Sequence, residues 1–153
     1  IPLFIFIVFK IYQRFGVKQM LFILFFLALL ILFTDQFTNF FKDSFQRLRP
    51  CRMEYLNLRQ IDIYCGKYGF FSAHASSSFS LAIFFGLLYK KRLKFLICFT
   101  VLLAILISYS RVYLGVHYPL DILFGALFGI LNGILLYRVY QIKLRDINFF
   151  NKS

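Results

Sequence analysis

Five stretches of the chain are almost continuously apolar, at residues 1–9, 20–34, 73–89, 95–109 and 119–137. Wound as helices, they are apolar around the whole circumference rather than along one stripe, so each needs an apolar surround on every side. Several are shorter than the roughly 20 residues that span hydrocarbon. Flanking aromatic and uncharged polar residues, such as those at 36–41, extend them. The pattern predicts an all-α, polytopic transmembrane helix bundle with five helices in view. A sixth is expected upstream, because the first apolar run begins at Ile1 with no initiating Met.

Composition decides between a bilayer and a soluble interior. Apolar residues make up 61% of the 153 positions and charged residues 16%, against about 45–50% and 25% in soluble domains. The charged faces that would cover a soluble helical bundle are missing. The length suits one domain, residues 1–153, without a separate soluble module. A cleavable signal peptide does not fit, since Lys10 and Arg14 follow the first apolar run instead of preceding it.

The net charge of +12 is distributed in a way that reports topology. If the helices alternate, Lys10, Arg14, Lys18, Lys90, Lys91, Arg92, Lys94, Arg138, Lys143, Arg145 and Lys152 all fall on one side. That side has Asp146 as its only acid. The other side holds Lys42, Arg47, Arg49, Arg52, Arg59, Lys67 and Arg111 with the remaining five acids. The positive-inside rule puts the first side in the cytoplasm and the second at the periplasm or cell exterior. A nucleic-acid partner is not indicated.

Three short clusters on the outward side carry the titratable and anion-binding chemistry. Lys42 and Arg49, followed by Pro50, are seven positions apart, which on a continuous helix would place both cations on one face. Arg49 offers a planar fork to phosphate oxygens and Lys42 a mobile point charge. Pro50 is expected to end that helix or turn the chain into the loop. Ser72, Ala73 and His74 open the next apolar segment. Ser72 is placed as an N-cap, and the free N–H groups of a helix start form an anion site. His74 lies within reach of a leaving oxygen there. In the third cluster Ser110 and Arg111 precede His117, Pro119 and Asp121. Pro119 suits a helical first turn, so His117 would precede the final helix and Asp121 would hold one imidazole nitrogen. The other nitrogen is then free as nucleophile or base.

Other features are less specific. Cys98 reads as a small apolar packer, and Cys51 and Cys65 share the outward loop, where an oxidising compartment permits a disulfide. Sequence leaves that bridge open. Gly125, Gly129 and Gly133 form a four-residue repeat that suits close helix packing, either inside the chain or across a homodimer.

The ordered set K-x6-RP, S-x-H and SR-x5-H-x3-D resembles the type 2 phosphatidic acid phosphatase (PAP2) superfamily, with motifs running from Lys42 to Asp121. The second motif reads Phe71-Ser72-Ala73-His74 in place of the family's Pro-Ser-Gly-His. Alanine at that position is tolerated only at negative φ. The resemblance implies a membrane lipid phosphatase working without a metal or other cofactor. His117 would attack phosphorus to give a phosphohistidine, oriented by Asp121. His74 would protonate the leaving group and then activate water. Lys42, Arg49, Arg111, Ser72 and the backbone at Ala73 would hold the phosphoryl oxygens. The implied substrate is a lipid in the bilayer: undecaprenyl diphosphate, a lipid A phosphate, or phosphatidate or phosphatidylglycerol phosphate. Two alternatives remain at this point, a transferase passing the phosphoryl or headgroup from His117 to another acceptor, and a non-catalytic lipid-binding scaffold. The related vanadium haloperoxidases are soluble, which the apolar helices do not match.

Overall fold

The computed structural model describes residues 2–53, 65–90 and 94–150. Arg59, Lys91, Arg92 and Lys152, used above in the charge count, lie outside the described residues, as do Glu54 and Asp62. The elements are α1 (Pro2–Phe45), a short 3-10 turn (Pro50–Arg52), α2 (Ala73–Tyr89), α3 (Lys94–Tyr113) and α4 (Pro119–Phe150).

Where two separate first helices were expected, the chain runs from one into the other within α1. The break is at Gly16, with φ +73° and ψ 173°. Nothing lies within 4 Å of where a Cβ would stand there, so the demand for glycine is conformational. The bend lets the first arm pack back on the bundle. Ile11 is buried in one core with Ile23, Phe26, Leu30, Phe84 and Tyr140. Phe15 meets the ring of Tyr89 edge-on, with centroids 6.0 Å apart. The Arg14 guanidinium lies 5.4 Å from the Tyr89 centroid. Arg14 and the start of the basic segment after Tyr89 therefore share one end of the molecule.

Ile11–Phe45, Phe95–Tyr113 and Pro119–Arg145 are long and apolar enough to cross a membrane, and Ala73–Tyr89 is apolar but shorter. The surface agrees, since α3 presents Phe99, Leu102, Leu103, Ile105 and Leu106 outward. A surface of this kind is stable only against lipid. The chain is a multi-pass membrane protein.

Helix α2 lies at the centre, packed against α1, α3 and α4. Its seam with α4 explains the glycine repeat. A Cβ on Gly125 would stand 2.7 Å from the Ser72 carbonyl oxygen, on Gly129 2.3 Å from that of Ser76, and on Gly133 2.7 Å from that of Ser80. Four-residue spacing on both helices brings small residues to one contact line, and the backbones close in. The Ser80 hydroxyl donates to the Gly129 carbonyl at 2.8 Å, and Asn132 Nδ2 donates to Ser80 Oγ at 3.3 Å. The stripe is thus filled by α2 of the same chain, the internal one of the two packings that the repeat allowed. The seam also sets the site, because it aligns the N-terminus of α2 with that of α4.

Candidate active site

Helix α1 ends at Phe45, and the next residue, Gln46, takes a left-handed conformation (φ +47°) while its N–H donates to the Lys42 carbonyl at 3.0 Å. This is a left-handed helix cap, unusual for a non-glycine residue. The chain then runs antiparallel to residues 67–69. The Gly69 N–H donates to the Arg47 carbonyl at 2.9 Å and the Arg49 N–H to that of Lys67 at 3.3 Å, with a bridge pairing Leu48 and Tyr68. Lys42 and Arg49 therefore do not share a helix face, as the seven-residue spacing suggested. Lys42 projects from the last helical turn, with Nζ 3.4 Å from Asn39 Oδ1. Arg49 sits on an extended segment, its Nε donating to the Tyr68 carbonyl at 2.9 Å. Pro50 does not end α1; it opens the 3-10 turn.

Cys51 and Cys65 form a disulfide, Cα atoms 6.5 Å apart. It ties the segment carrying Arg49 to the one carrying Gly66 and Gly69, and the Cys51 N–H donates to the Gly115 carbonyl at 2.9 Å. Gly115, at φ +66°, makes the turn out of α3. Just before it, the Arg111 carbonyl accepts from the N–H groups of Val116 (3.1 Å) and His117 (3.3 Å). The backbone of Arg111 thus fixes the loop that carries His117, and its buried Nε has no hydrogen-bond partner in the protein. A buried guanidinium nitrogen of that kind is ready for an anion.

Ser72 caps α2, its Oγ accepting from the Ala75 N–H at 3.4 Å, and its own N–H donates to the Asp121 carbonyl at 3.2 Å. Ala73 is the first helical residue and does not have positive φ, so the Gly-to-Ala departure in the second motif carries no backbone strain. His74 is exposed, and Arg111, His117, Lys42 and Arg49 all lie near enough to act on its charge.

His117 and Asp121 are buried. The imidazole Nδ1 lies 3.4 Å from Asp121 Oδ2, which also accepts the Tyr118 N–H at 2.9 Å. Asp121 Oδ1 is taken by Arg47 Nη2 in an ion pair, a partner absent from the motif spacing. Burial pushes the His117 imidazole below its ordinary value of 6.5; the hydrogen bond to Asp121 opposes this, and the charges of Arg49 and Lys42 reinforce it. With Nδ1 turned to the carboxylate, Nε2 is the nitrogen left for chemistry. Gly69 closes the group: a Cβ there would stand 3.1 Å from Arg49 Cγ, 3.5 Å from Asp121 Oδ2 and 3.7 Å from His117 Nδ1. The fold thus gathers the cations, the helix start and both histidines at one end of the bundle, with Arg47 and Gly69 added.

Comparison with known proteins agrees with this arrangement. The chain is 39% identical over 131 residues to a lipid A 4'-phosphatase of Bacteroides thetaiotaomicron, a match covering 82% of this chain and 57% of that protein. It is 34% identical over 143 residues to a lipid A 4'-phosphatase of Porphyromonas gingivalis, covering 88% and 58%. The chain thus spans a little over half the length of these relatives. No solved structure matches it. The model of the PAP2 superfamily matches residues 3–145, and the chain belongs to that superfamily.

Proposed function

We propose that this protein is a membrane lipid phosphatase that hydrolyses a phosphate monoester on a lipid A-type headgroup through a phosphohistidine on His117. The observation that carries the reading is the buried His117–Asp121 pair, Nδ1 held and Nε2 free, beside Arg49, Arg111 and the α2 N-terminus. The names of the two relatives favour a lipid A phosphate over the diphosphate and glycerophospholipid substrates.

His117 Nε2 attacks phosphorus and the P–O bond to the sugar breaks. His74 gives the leaving oxygen its proton, so the alcohol departs neutral. The neutral His74 then takes a proton from water, whose oxygen attacks the phosphohistidine; the P–N bond breaks, releasing inorganic phosphate and restoring both histidines. Asp121 stabilises the positive charge on His117 while the phosphoryl group is attached. Lys42, Arg49, Arg111, the Ser72 hydroxyl and the N–H groups of Ala73 and His74 meet the charge on the phosphoryl oxygens, a fixed set of donors of the kind that contributes most to such reactions. These cations supply the stabilisation a metal ion gives elsewhere, so the reaction should survive EDTA.

Basic residues gathered at the Arg14–Tyr89 end, opposite His74, support a site facing the periplasm from the inner membrane. The test is phosphate release by purified protein in detergent with EDTA, from lipid A, undecaprenyl diphosphate and phosphatidylglycerol phosphate, with His117→Ala alongside. Release from lipid A that is lost in the variant is the expected result. Transfer of phosphate to an added alcohol in place of water would favour a transferase.

A further inference from the structure

Arg47 falls between the counted positions of the first motif, yet its guanidinium reaches the buried carboxylate of the third. We propose that Arg47 is a positioning residue that holds and charge-balances Asp121, and so orients His117, without gripping the phosphate. The inference rests on the reading of His117 as nucleophile.

Three observations carry it. First, Asp121 is fully buried, and a buried carboxylate must be paired to stay ionised. Its neighbour His117 is neutral at rest, so it supplies no compensating charge. Arg47 does, on Oδ1, leaving Oδ2 to His117 and the Tyr118 N–H. Second, the guanidinium lies 4.7 Å from the Tyr118 ring centroid and 5.2 Å from that of Phe70, close enough for both rings to hold it by cation–π attraction. Third, its backbone is fixed independently, by the left-handed turn at Gln46 before it and by the Gly69 N–H on its carbonyl. Arg49, two residues on, is held instead through Nε by the Tyr68 carbonyl. The two arginines thus have different work: one belongs to the carboxylate, the other to the anion. The Arg47 Nε is buried without a partner, so a phosphate contact through that atom is the competing role to test.

The charged and titratable groups around His117 are Asp121 on α4, Lys42 on α1, Arg47 and Arg49 after α1, His74 on α2 and Arg111 on α3. Removing the Arg47 charge leaves His117 as the neighbouring group that can balance the buried Asp121 carboxylate, which favours the imidazolium.

The experiment uses the full chain in detergent with ring-labelled histidine, titrated by NMR, with His74→Gln to assign the two imidazoles. Arg47→Gln should raise the His117 pKa. It should also lower kcat about 10- to 100-fold, the usual cost of losing a partner that orients a reacting side chain, with KM and inhibition by inorganic phosphate little changed. Arg47→Lys keeps the charge but not the fork, so it should lower kcat and leave the titration near that of the unmodified protein. It also serves if Arg47→Gln does not fold. An unmoved His117 titration in Arg47→Gln would overturn the proposal. So would weakened phosphate inhibition with unchanged kcat, which would make Arg47 a phosphate ligand. The titration needs no turnover. A protein inactive on every lipid, but with His117 shifted in Arg47→Gln, would sink the phosphatase reading and leave this one standing.

Discussion

At the scale of single residues, the proposed mechanism depends on His117 being uncharged and correctly turned. Its nucleophilic nitrogen must be free of a proton, and burial holds the imidazole below 6.5. On the acid side, kcat/KM should fall only below that value. His74, the proton donor, is also held below 6.5, by burial and then by the Arg111 charge, so the alkaline limb begins in mildly acid solution and the profile should be a bell with its maximum below neutral pH. A pH profile of kcat/KM checks this, and an acid limb lying above 6.5 would contradict the neutral-nucleophile reading. Asp121→Asn should keep the fold but lose the tautomer control, with kcat falling by up to roughly 10⁴-fold as in other His–carboxylate pairs. The Ser72 cap and the His117–Asp121 contact were legible because a helix start announces itself in sequence, by the serine at Ser72 and by Pro119 as the first helical residue. Arg47 was not. Its partner is 74 residues away, and local spacing says nothing about which cation reaches across. The signal that was available is a second arginine two positions before Arg49.

At the scale of elements, spacing misled where the helix stopped short. The seven residues from Lys42 to Arg49 imply one helical face only if the helix continues, and the left-handed turn at Gln46 ends that face. No glycine marks that cap, so the ordinary stop signal was missing. The disulfide was open for the opposite reason: both cysteines were visible, but their approach depends on the pairing of Leu48 with Tyr68, which no local pattern encodes. Because the bridge anchors the Arg49 segment, Cys51→Ser should raise KM for the lipid phosphate more than it lowers kcat. A cross-link spanning 14 residues is worth about 3 kcal/mol, so the melting temperature should drop too. Kinetics and thermal denaturation with and without reductant test both; unchanged KM would mean that Arg49 is held without the bridge. The glycine repeat was legible as close packing, though not as to its partner. At Gly129 a methyl would meet the Ser76 carbonyl oxygen at 2.3 Å, and backbone cannot rotate away as a side chain can. Gly129→Ala should therefore cost about 1–3 kcal/mol, seen as a lower melting temperature in detergent. A neutral substitution would mean that the α2–α4 seam is looser than described.

At the scale of the whole molecule, the bundle has two chemically different ends, and this difference predicts which side of the membrane the site faces. One end carries Arg14 stacked on Tyr89, beside Lys90; the other carries Lys42, Arg49, His74, Arg111 and His117. Cations at the site end are held by carbonyls and by a carboxylate, as Arg49, Arg52 and Arg47 are. Those at the Arg14 end lie in short connections between apolar segments, where positive charge governs topology. Hence the site end should face the periplasm, where the disulfide can also persist. Single cysteines placed at Lys67, exposed at the site end, and Lys90, exposed at the other, decide the matter in intact cells. A membrane-impermeant maleimide should label Lys67→Cys directly and Lys90→Cys only after permeabilisation. The reverse pattern would put His117 in the cytoplasm and restrict the enzyme to lipids of the inner leaflet, before their transfer across the membrane. The same result would leave the disulfide in a reducing compartment and remove its hold on Arg49. One labelling experiment therefore tests the charge count, the compartment and the accessible lipid pool together, because all three depend on which side of the membrane the N-terminal end of α2, with His74, faces.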